Sequence, residues 1–195
     1  MSLTINNLSL TRGDQIIFHH YQLALSHRRH CLHAANGTGK SSLLCTIAGL
    51  LPLNGGTIHW QGQPVQSVQQ QIAIASDSVL LPEFITAKNL LQLSQSNWQL
   101  RWPQQLIDAF AFTAQLQQTV ANLSAGNLKK LQLILAFMRQ PALLLLDEPD
   151  IALDEPAQLS LWQLINDYPG TIVAASNTPE SFVRQGFELV RLHAL

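Results

Sequence analysis

The chain has 195 residues and a mass of 21.6 kDa, a length that favours one domain with its own hydrophobic core. Hydrophobic residues make up 47% of it, which excludes a disordered chain, and only 12% are charged against roughly 25% on average, so we expect a partner to cover part of the surface. The formal net charge is -1 and the basic residues are scattered, which argues against a nucleic-acid partner.

The distribution of apolar residues indicates the cellular compartment in which the protein is expected. The longest apolar stretches, residues 131–138 and 142–146, are far shorter than the roughly 20 residues of a membrane-spanning helix. Residues 1–10 alternate polar and apolar side chains and lack the regions of a signal peptide, so we expect a cytoplasmic protein. In that compartment Cys31 and Cys45 are expected to be reduced thiols.

Hydrophobic periodicity divides the chain into strands and helices that alternate over most of its length. Predicted strands cover residues 2–11, 15–25, 29–33, 57–60, 72–75, 143–146, 171–175 and 188–192. Predicted helices cover residues 40–51, 86–93, 103–118, 124–139, 156–168 and 179–184. The Gln-rich residues 61–71 are interpreted as a solvated connection. The alternation predicts a single α/β domain with a mostly parallel sheet.

A glycine loop at residues 34–42 lies between a predicted strand and a predicted helix, the context of a phosphate-binding loop. It matches the pattern G-x-x-x-x-G-K-[ST] except at its first position, which is Ala34. Lys40 is expected to reach the β and γ phosphates of a nucleotide, and the Ser41 hydroxyl to bind Mg²⁺. A glycine-rich turn with an incidental lysine is the competing interpretation, which the context disfavours. The residues expected to contact the nucleotide are Asn36, Gly37, Thr38, Gly39, Lys40, Ser41 and Ser42.

Two carboxylates, Asp147 and Glu148, follow the apolar strand at residues 143–146, at the end where open α/β sheets bind ligands. Asp147 is expected to hold Mg²⁺ through its hydration shell. Glu148 is expected to polarise the attacking water in a phosphoryl transfer. Taken alone, this pair is weak support, because many strands end in acidic residues.

Residues 123–127, Leu-Ser-Ala-Gly-Asn, open a helix between these two motifs, and here the sequence resembles the ATP-binding-cassette (ABC) ATPases. The signature of that family, Leu-Ser-Gly-Gly-Gln, occupies the same place. The resemblance implies ATP and Mg²⁺ as ligands and a homodimer or heterodimer, in which Ser124, Ala125 and Gly126 of one subunit close on the γ-phosphate held by the other. Ser124 alone could be an ordinary N-cap, but the three motifs in this order favour the family.

The resemblance covers nearly the whole chain. Residues 150–154 look like the D-loop of the family, and residues 72–89 look like the stretch that contains its Q-loop and the start of its helical subdomain. The family implies a P-loop α/β fold of ABC type in an ATP-binding transporter subunit, attached to the inner face of the cell membrane through a separate polytopic membrane protein. Residues 60–64 and the short middle segment look most like the small ATPase subunit of the cytochrome c maturation haem exporter. The implied division is a core with an antiparallel N-terminal β region at residues 1–78 and 140–195, and a helical subdomain at residues 79–139.

Four positions depart from the pattern of the family. Asp77 stands where the Q-loop glutamine, a neutral metal ligand, is expected, so an additional carboxylate is predicted beside the metal. Asn177 replaces the switch histidine at the γ-phosphate and cannot become cationic. Asn127 replaces the signature glutamine. Arg12 occupies about the position of the aromatic residue that stacks on adenine, where Phe18 is the alternative.

These substitutions predict ATP binding with slow hydrolysis, because Glu148 is retained while Asp77 and Asn177 alter the surroundings of the γ-phosphate. An ATP-dependent clamp or regulatory module with little turnover is the alternative. A chromosome-maintenance ATPase is disfavoured, since the interval from Lys40 to Ser124 is too short for a long coiled coil. Zinc or haem binding by the histidines near Cys31 is also disfavoured, because their spacing gives no compact ligand set.

Overall fold

Nine strands and six α-helices make up the computed structural model, which describes residues 2–192. The strands are β1 (Leu3–Arg12), β2 (Gln15–Leu25), β3 (Arg29–His33), β4 (Gly55–Trp60), β5 (Gln63–Pro64), β6 (Ile72–Ala75), β7 (Leu143–Asp147), β8 (Thr171–Ala175) and β9 (Glu188–Arg191). The helices are α1 (Lys40–Ile47), α2 (Ala87–Trp98), α3 (Gln104–Ala109), α4 (Ala125–Phe137), α5 (Glu155–Asp167) and α6 (Glu180–Arg184). The predicted α/β fold is confirmed.

Five strands form a parallel sheet in the order β6-β7-β8-β3-β9. Every residue of β7 and β8 is buried, as expected for strands covered on both faces. Because all five strands run in the same direction, the segments that follow β3, β6, β7 and β8 start from one edge of the sheet. These segments carry the glycine loop, Asp77, Glu148 and Asn177.

Four strands form an antiparallel sheet in the order β2-β1-β4-β5. The β1–β2 hairpin pairs Leu3 with Leu25 and Arg12 with Gln15, and its turn contains Gly13 in the left-handed region at φ 59°. This sheet is the predicted antiparallel N-terminal β region.

The parallel sheet separates two hydrophobic cores. Leu143 and Leu145 of β7 belong to a core shared with α1 and the antiparallel sheet, where Phe18 and Trp60 are each 1% exposed. Leu144 and Leu146, on the opposite face, pack in a core with the other helices, and both are fully buried. Helix α1 is therefore held between the two sheets, and its N-terminus is fixed at the edge that carries the candidate site.

Two predicted helices are shorter than the periodicity indicates. The helix predicted over residues 103–118 ends at Ala109, because Ala111 adopts the left-handed region at φ 48° and the Phe112 N–H donates back to the Ile107 carbonyl. A short 3-10 turn, Thr113–Gln115, follows. Helix α1 ends at Ile47 rather than at residue 51, since Gly49 is left-handed at φ 75°.

The interpretation of residues 61–71 as a solvated connection is wrong in part. The segment forms β5 and two 3-10 turns, Val65–Ser67 and Gln69–Gln71. Val65 and Val68 are buried in the core under the antiparallel sheet. The glutamines are exposed, and the two valines anchor the segment. Across residues 2–192, no helix combines the length and the apolar character needed to cross a bilayer.

Candidate functional site

The glycine loop connects β3 to α1 and leaves the first turn of the helix open to a ligand. Gly37 and Gly39 have φ of 80° and 93°, a region that strains other residues. A Cβ on Gly39 would overlap the Ile17 side chain, whereas one on Gly37 would meet nothing within 4 Å. In the described chain, no side chain caps α1 at Gly39. The amides of the first turn therefore remain for an anion, as predicted for a phosphate cradle.

The Lys40 side chain lies along this loop and is only 6% exposed. Its ammonium donates to the carbonyls of Ala34 at 2.9 Å and Ala35 at 3.3 Å, and to the side-chain oxygen of Asn177 at 2.7 Å. Three neutral oxygens thus hold the charge at the loop. Because carbonyl and amide oxygens carry only partial charges, a phosphate group can compete for this ammonium.

Glu148 follows β7 in the left-handed region, at φ 46°, and its N–H donates to the Ala175 carbonyl at 2.9 Å. The backbone N–H of Asn177 donates to Glu148 Oε2 at 3.2 Å. Oε1 of Glu148 is buried and has no hydrogen-bond partner within residues 2–192, which leaves it for a water molecule. Burial raises the pKa of Glu148, although the Asn177 N–H and the Lys40 charge act in the opposite direction. A raised pKa suits a general base.

Asp147, the last residue of β7, is 5% exposed and has one oxygen committed to the protein. Oδ2 accepts a 2.6 Å hydrogen bond from Ser76, the residue that follows β6. Oδ1 is buried and lacks a hydrogen-bond partner in the part of the chain described. Helix α1, which carries Ser41, packs against β7. A buried carboxylate oxygen without a partner, on a strand beside a serine-bearing helix, fits an Mg²⁺ site.

Asp77 lies next to Ser76 and forms an ion pair across the subdomain boundary predicted from the sequence. Its Oδ1 is 2.8 Å from the ammonium of Lys129 on α4. Lys129 is 2% exposed, whereas the side chain of Asp77 is 70% exposed. The carboxylate predicted beside the metal is therefore engaged with Lys129, a lysine two residues after the signature segment.

The signature segment caps α4 and packs on the D-loop of the same chain. The hydroxyl of Ser124 accepts the Asn127 N–H at 3.3 Å. A Cβ on Gly126 would lie 2.5 Å from the carbonyl oxygen of Ala152, so only glycine allows this approach. Lys130 adds an ion pair with Asp154 at 2.9 Å. Ser124 and Ala125 are exposed, as an anion-binding helix start requires.

Arg12, the predicted base-stacking residue, is exposed at the end of β1 and lines a cavity of about 260 Å³. Ile17, Ser42 and Cys45 line the same cavity. Phe18, the alternative, is buried at 1% exposure and packs on Tyr21 at a ring separation of 4.8 Å. The geometry therefore favours Arg12 over Phe18 as the side chain that a base could contact.

Comparison with known proteins identifies the family of the chain. Residues 23–150 match the family described as ABC transporter. The chain belongs to the ABC transporter family. Within it the chain is an ATP-binding subunit, as the sequence predicts, and the interpretation as a clamp or regulatory module is not favoured.

Two curated ABC proteins illustrate the similarity. The cytochrome c biogenesis ATP-binding export protein CcmA of Albidiferax ferrireducens is 28% identical over 84% of this chain and 82% of its own length. The zinc import ATP-binding protein ZnuC of Buchnera aphidicola is 31% identical over 84% of this chain and 67% of its own length. The likeness to CcmA is weak and does not separate it from other ABC relatives.

Solved structures share the ABC fold at low sequence identity. An ATP-binding subunit of an ABC transporter superposes with a TM-score of 0.85 over 99% of this chain and 86% of its own, at 23% identity. A dimeric ATP-binding cassette bound to ADP and Pi gives 0.80 over 97% and 94%, at 16% identity. These likenesses establish the fold of this ABC ATPase.

Proposed function

We propose that this ABC ATPase binds Mg-ATP between two subunits and uses its slow hydrolysis to drive a separate membrane protein. The observation that carries the proposal is the meeting of three segments at one edge of the parallel sheet. Asn177 accepts a hydrogen bond from Lys40 at 2.7 Å and donates one to Glu148 at 3.2 Å. The phosphate loop, the water-activating carboxylate and the switch position therefore form one connected site.

The roles follow from the chemistry of each group. The loop amides and Lys40 bind the phosphates, and the free Oε1 of Glu148 orients a water for attack on phosphorus. Ser41 and Asp147 would hold Mg²⁺, which neutralises the charge on the phosphate oxygens when bound. Arg12 would contact the base.

Slow turnover is expected because the switch position lacks a cationic side chain. Asn177 presents its oxygen to Lys40, and an amide cannot take up a proton at physiological pH. Removal of one charge-stabilising contact at a transition state costs roughly a hundredfold in rate. Glu148 is retained, so turnover is reduced rather than abolished.

The second copy completes the site. Ser124, Ala125 and Gly126 of one subunit would close on the nucleotide held by the other, since the start of α4 is exposed and offers amides to an anion. The close approach of Gly126 to Ala152 would move the signature and the D-loop as one unit. Whether the second copy is identical does not affect this arrangement.

A membrane partner is proposed to dock on residues 79–139, which we treat as the helical subdomain, at the cytoplasmic face of the membrane. Leu80 and Phe84 are 92% and 84% exposed. The same part of the chain contributes Leu81, Leu93 and Trp98 to the lining of a cavity of about 510 Å³. Exposed apolar side chains and an apolar cavity are features of interaction sites.

The direct test is steady-state ATP hydrolysis by the purified protein and by Glu148→Gln. We expect slow turnover by the wild type. Glu148→Gln should be at least about a hundredfold slower than the wild type, because the general base is lost. Calorimetry should detect ATP binding to both proteins. No ATP binding by the wild type, or equal turnover by both, would contradict the proposal.

A further inference from the structure

Lys129 is a buried cation directly behind the carboxylates of the site. Its residue exposure is 2%, and its ammonium lies 2.8 Å from Asp77 Oδ1 and 3.4 Å from the backbone carbonyl of Asp147. It projects from the second turn of α4, so one side chain joins the signature helix, the segment after β6 and the end of β7.

A buried ammonium is costly without an anionic partner. Among the residues described, Asp77 is the carboxylate within 4 Å of Lys129. The ion pair therefore matters more for the buried Lys129 than for Asp77, because water can still solvate the Asp77 side chain, which is 70% exposed. Release of the carboxylate to another cation would leave the buried ammonium with the Asp147 carbonyl and only a longer-range attraction to the Asp150 carboxylate, so the pair resists opening.

We propose that Lys129 is a positioning residue that keeps the Asp77 carboxylate off the metal, leaving Ser41 and Asp147 as the metal-binding side chains. The free Oδ1 of Asp147 is the oxygen that remains for this role, since Ser76 occupies Oδ2. The proposal rests on the proposed function, and it replaces the prediction from the sequence that Asp77 is a metal ligand.

The test compares the ATP dissociation constant in excess EDTA with that in excess Mg²⁺, measured by calorimetry. The constant in EDTA divided by the constant in Mg²⁺ gives a ratio that rises as the metal contributes more to nucleotide binding. The informative variants are Lys129→Gln, which releases Asp77, and the double variant Asp77→Asn with Lys129→Gln, which keeps the net charge of the wild type. Lys130→Gln is the matched control, because it removes the same charge from the adjacent position, where the partner is Asp154.

We expect the double variant to keep the wild-type ratio within about twofold, because neither charge contacts the metal. Lys129→Gln should raise the ratio about tenfold over Lys130→Gln, since a freed carboxylate near Mg²⁺ strengthens metal binding. A tenfold lower ratio in the double variant would show that Asp77 is a ligand and overturn the proposal.

A purely structural role for Lys129 would give a different experimental result. It predicts a lower unfolding temperature for Lys129→Gln with an unchanged ratio, and that result would also overturn the proposal. If Lys129→Gln does not fold, the charge-neutral double variant decides. No ATP binding by the wild type in either buffer would refute the proposed function itself. Intact ATP binding with a tenfold lower ratio in the double variant, or with an unchanged ratio in Lys129→Gln, refutes only the assignment of Lys129.

Discussion

The ammonium of Lys40 and the side-chain oxygen of Asn177 are 2.7 Å apart, and this hydrogen bond joins the loops that follow the neighbouring strands β3 and β8. Asn177 presents an acceptor here, so its amide helps to hold Lys40, the proposed phosphate-binding lysine, in place. A histidine at the same position could instead donate a hydrogen bond and carry a positive charge. The identity of residue 177 is therefore expected to affect both one of the three contacts that hold Lys40 and the charge available to a γ-phosphate.

Asn177→His is expected to raise the ATP turnover number about tenfold or more, because a donor and partial positive charge replace an acceptor next to the phosphate. The backbone N–H that contacts Glu148 is kept. Phosphate release under saturating Mg-ATP measures the effect, with Asn166→His, an exposed position, as the control. An unchanged or lower rate would mean that Asn177 is already an adequate substitute.

Glu148→Gln is expected to raise the unfolding temperature at pH 7.5. Burial raises the pKa of Glu148 in the folded state, so the ionised carboxylate carries a desolvation cost there that the unfolded chain does not have. The gain should shrink as the pH falls through the raised pKa and vanish below the ordinary glutamate pKa, where both states are protonated. Thermal melts from pH 7.5 to pH 4, compared with Glu155→Gln, check this, and a pH-independent gain would contradict it.

The parts of the fold that the sequence predicts well are those where local pattern and tertiary structure agree. The predicted strands over residues 72–75 and 171–175 match β6 and β8, because each is a short apolar run that packs on both faces. The early end of α3 cannot be predicted in this way, since Ala111 adopts a left-handed conformation that its residue type does not favour. The Gln-rich composition of residues 61–71 predicts exposure, so it does not reveal that two valines of the segment are buried.

The site also contains residues that the sequence predicts and residues that it does not. Lys40 and Asp147 belong to motifs whose spacing carries the chemistry, so sequence alone places them at one sheet edge. Lys129 and Ser76 belong to no motif, and their roles depend on how α4 packs against the segment after β6. The signal that the sequence offers is the pair Lys129 and Lys130 in a largely apolar segment after the signature, and the ion pairs of these two buried lysines explain it.

Cys31 and Cys45 are expected to resist thiol reagents in the folded protein. Burial raises the pKa of Cys31 to about 12, and the nearby carboxylates of Glu148, Asp150 and Glu180 act in the same direction. Burial also raises the pKa of Cys45. Since the thiolate is the reactive form, a disulfide reagent at pH 8 should modify neither cysteine until denaturant is added, when both react. Rapid labelling of one thiol in the native protein would indicate local opening around it.

Gly126→Ala is expected to destabilise the fold by about 1–3 kcal/mol, because the added methyl group would lie 2.5 Å from the Ala152 carbonyl and force α4 away from the D-loop. Gly55→Ala is the matched control, since its Cβ would meet Ser9 at an ordinary 3.7 Å. Urea denaturation should separate the two variants.

The same Gly126 variant also tests the predicted role of the signature segment. ATP binding to a single subunit should be unchanged, because the phosphate loop is not altered. ATP-dependent dimerisation, measured by size-exclusion chromatography in a Glu148→Gln background, should be weakened, since the displaced start of α4 would no longer fit the nucleotide of the facing copy. If the Gly126→Ala protein dimerises as readily as its parent, residues 124–126 do not make the contacts that close the dimer on the nucleotide.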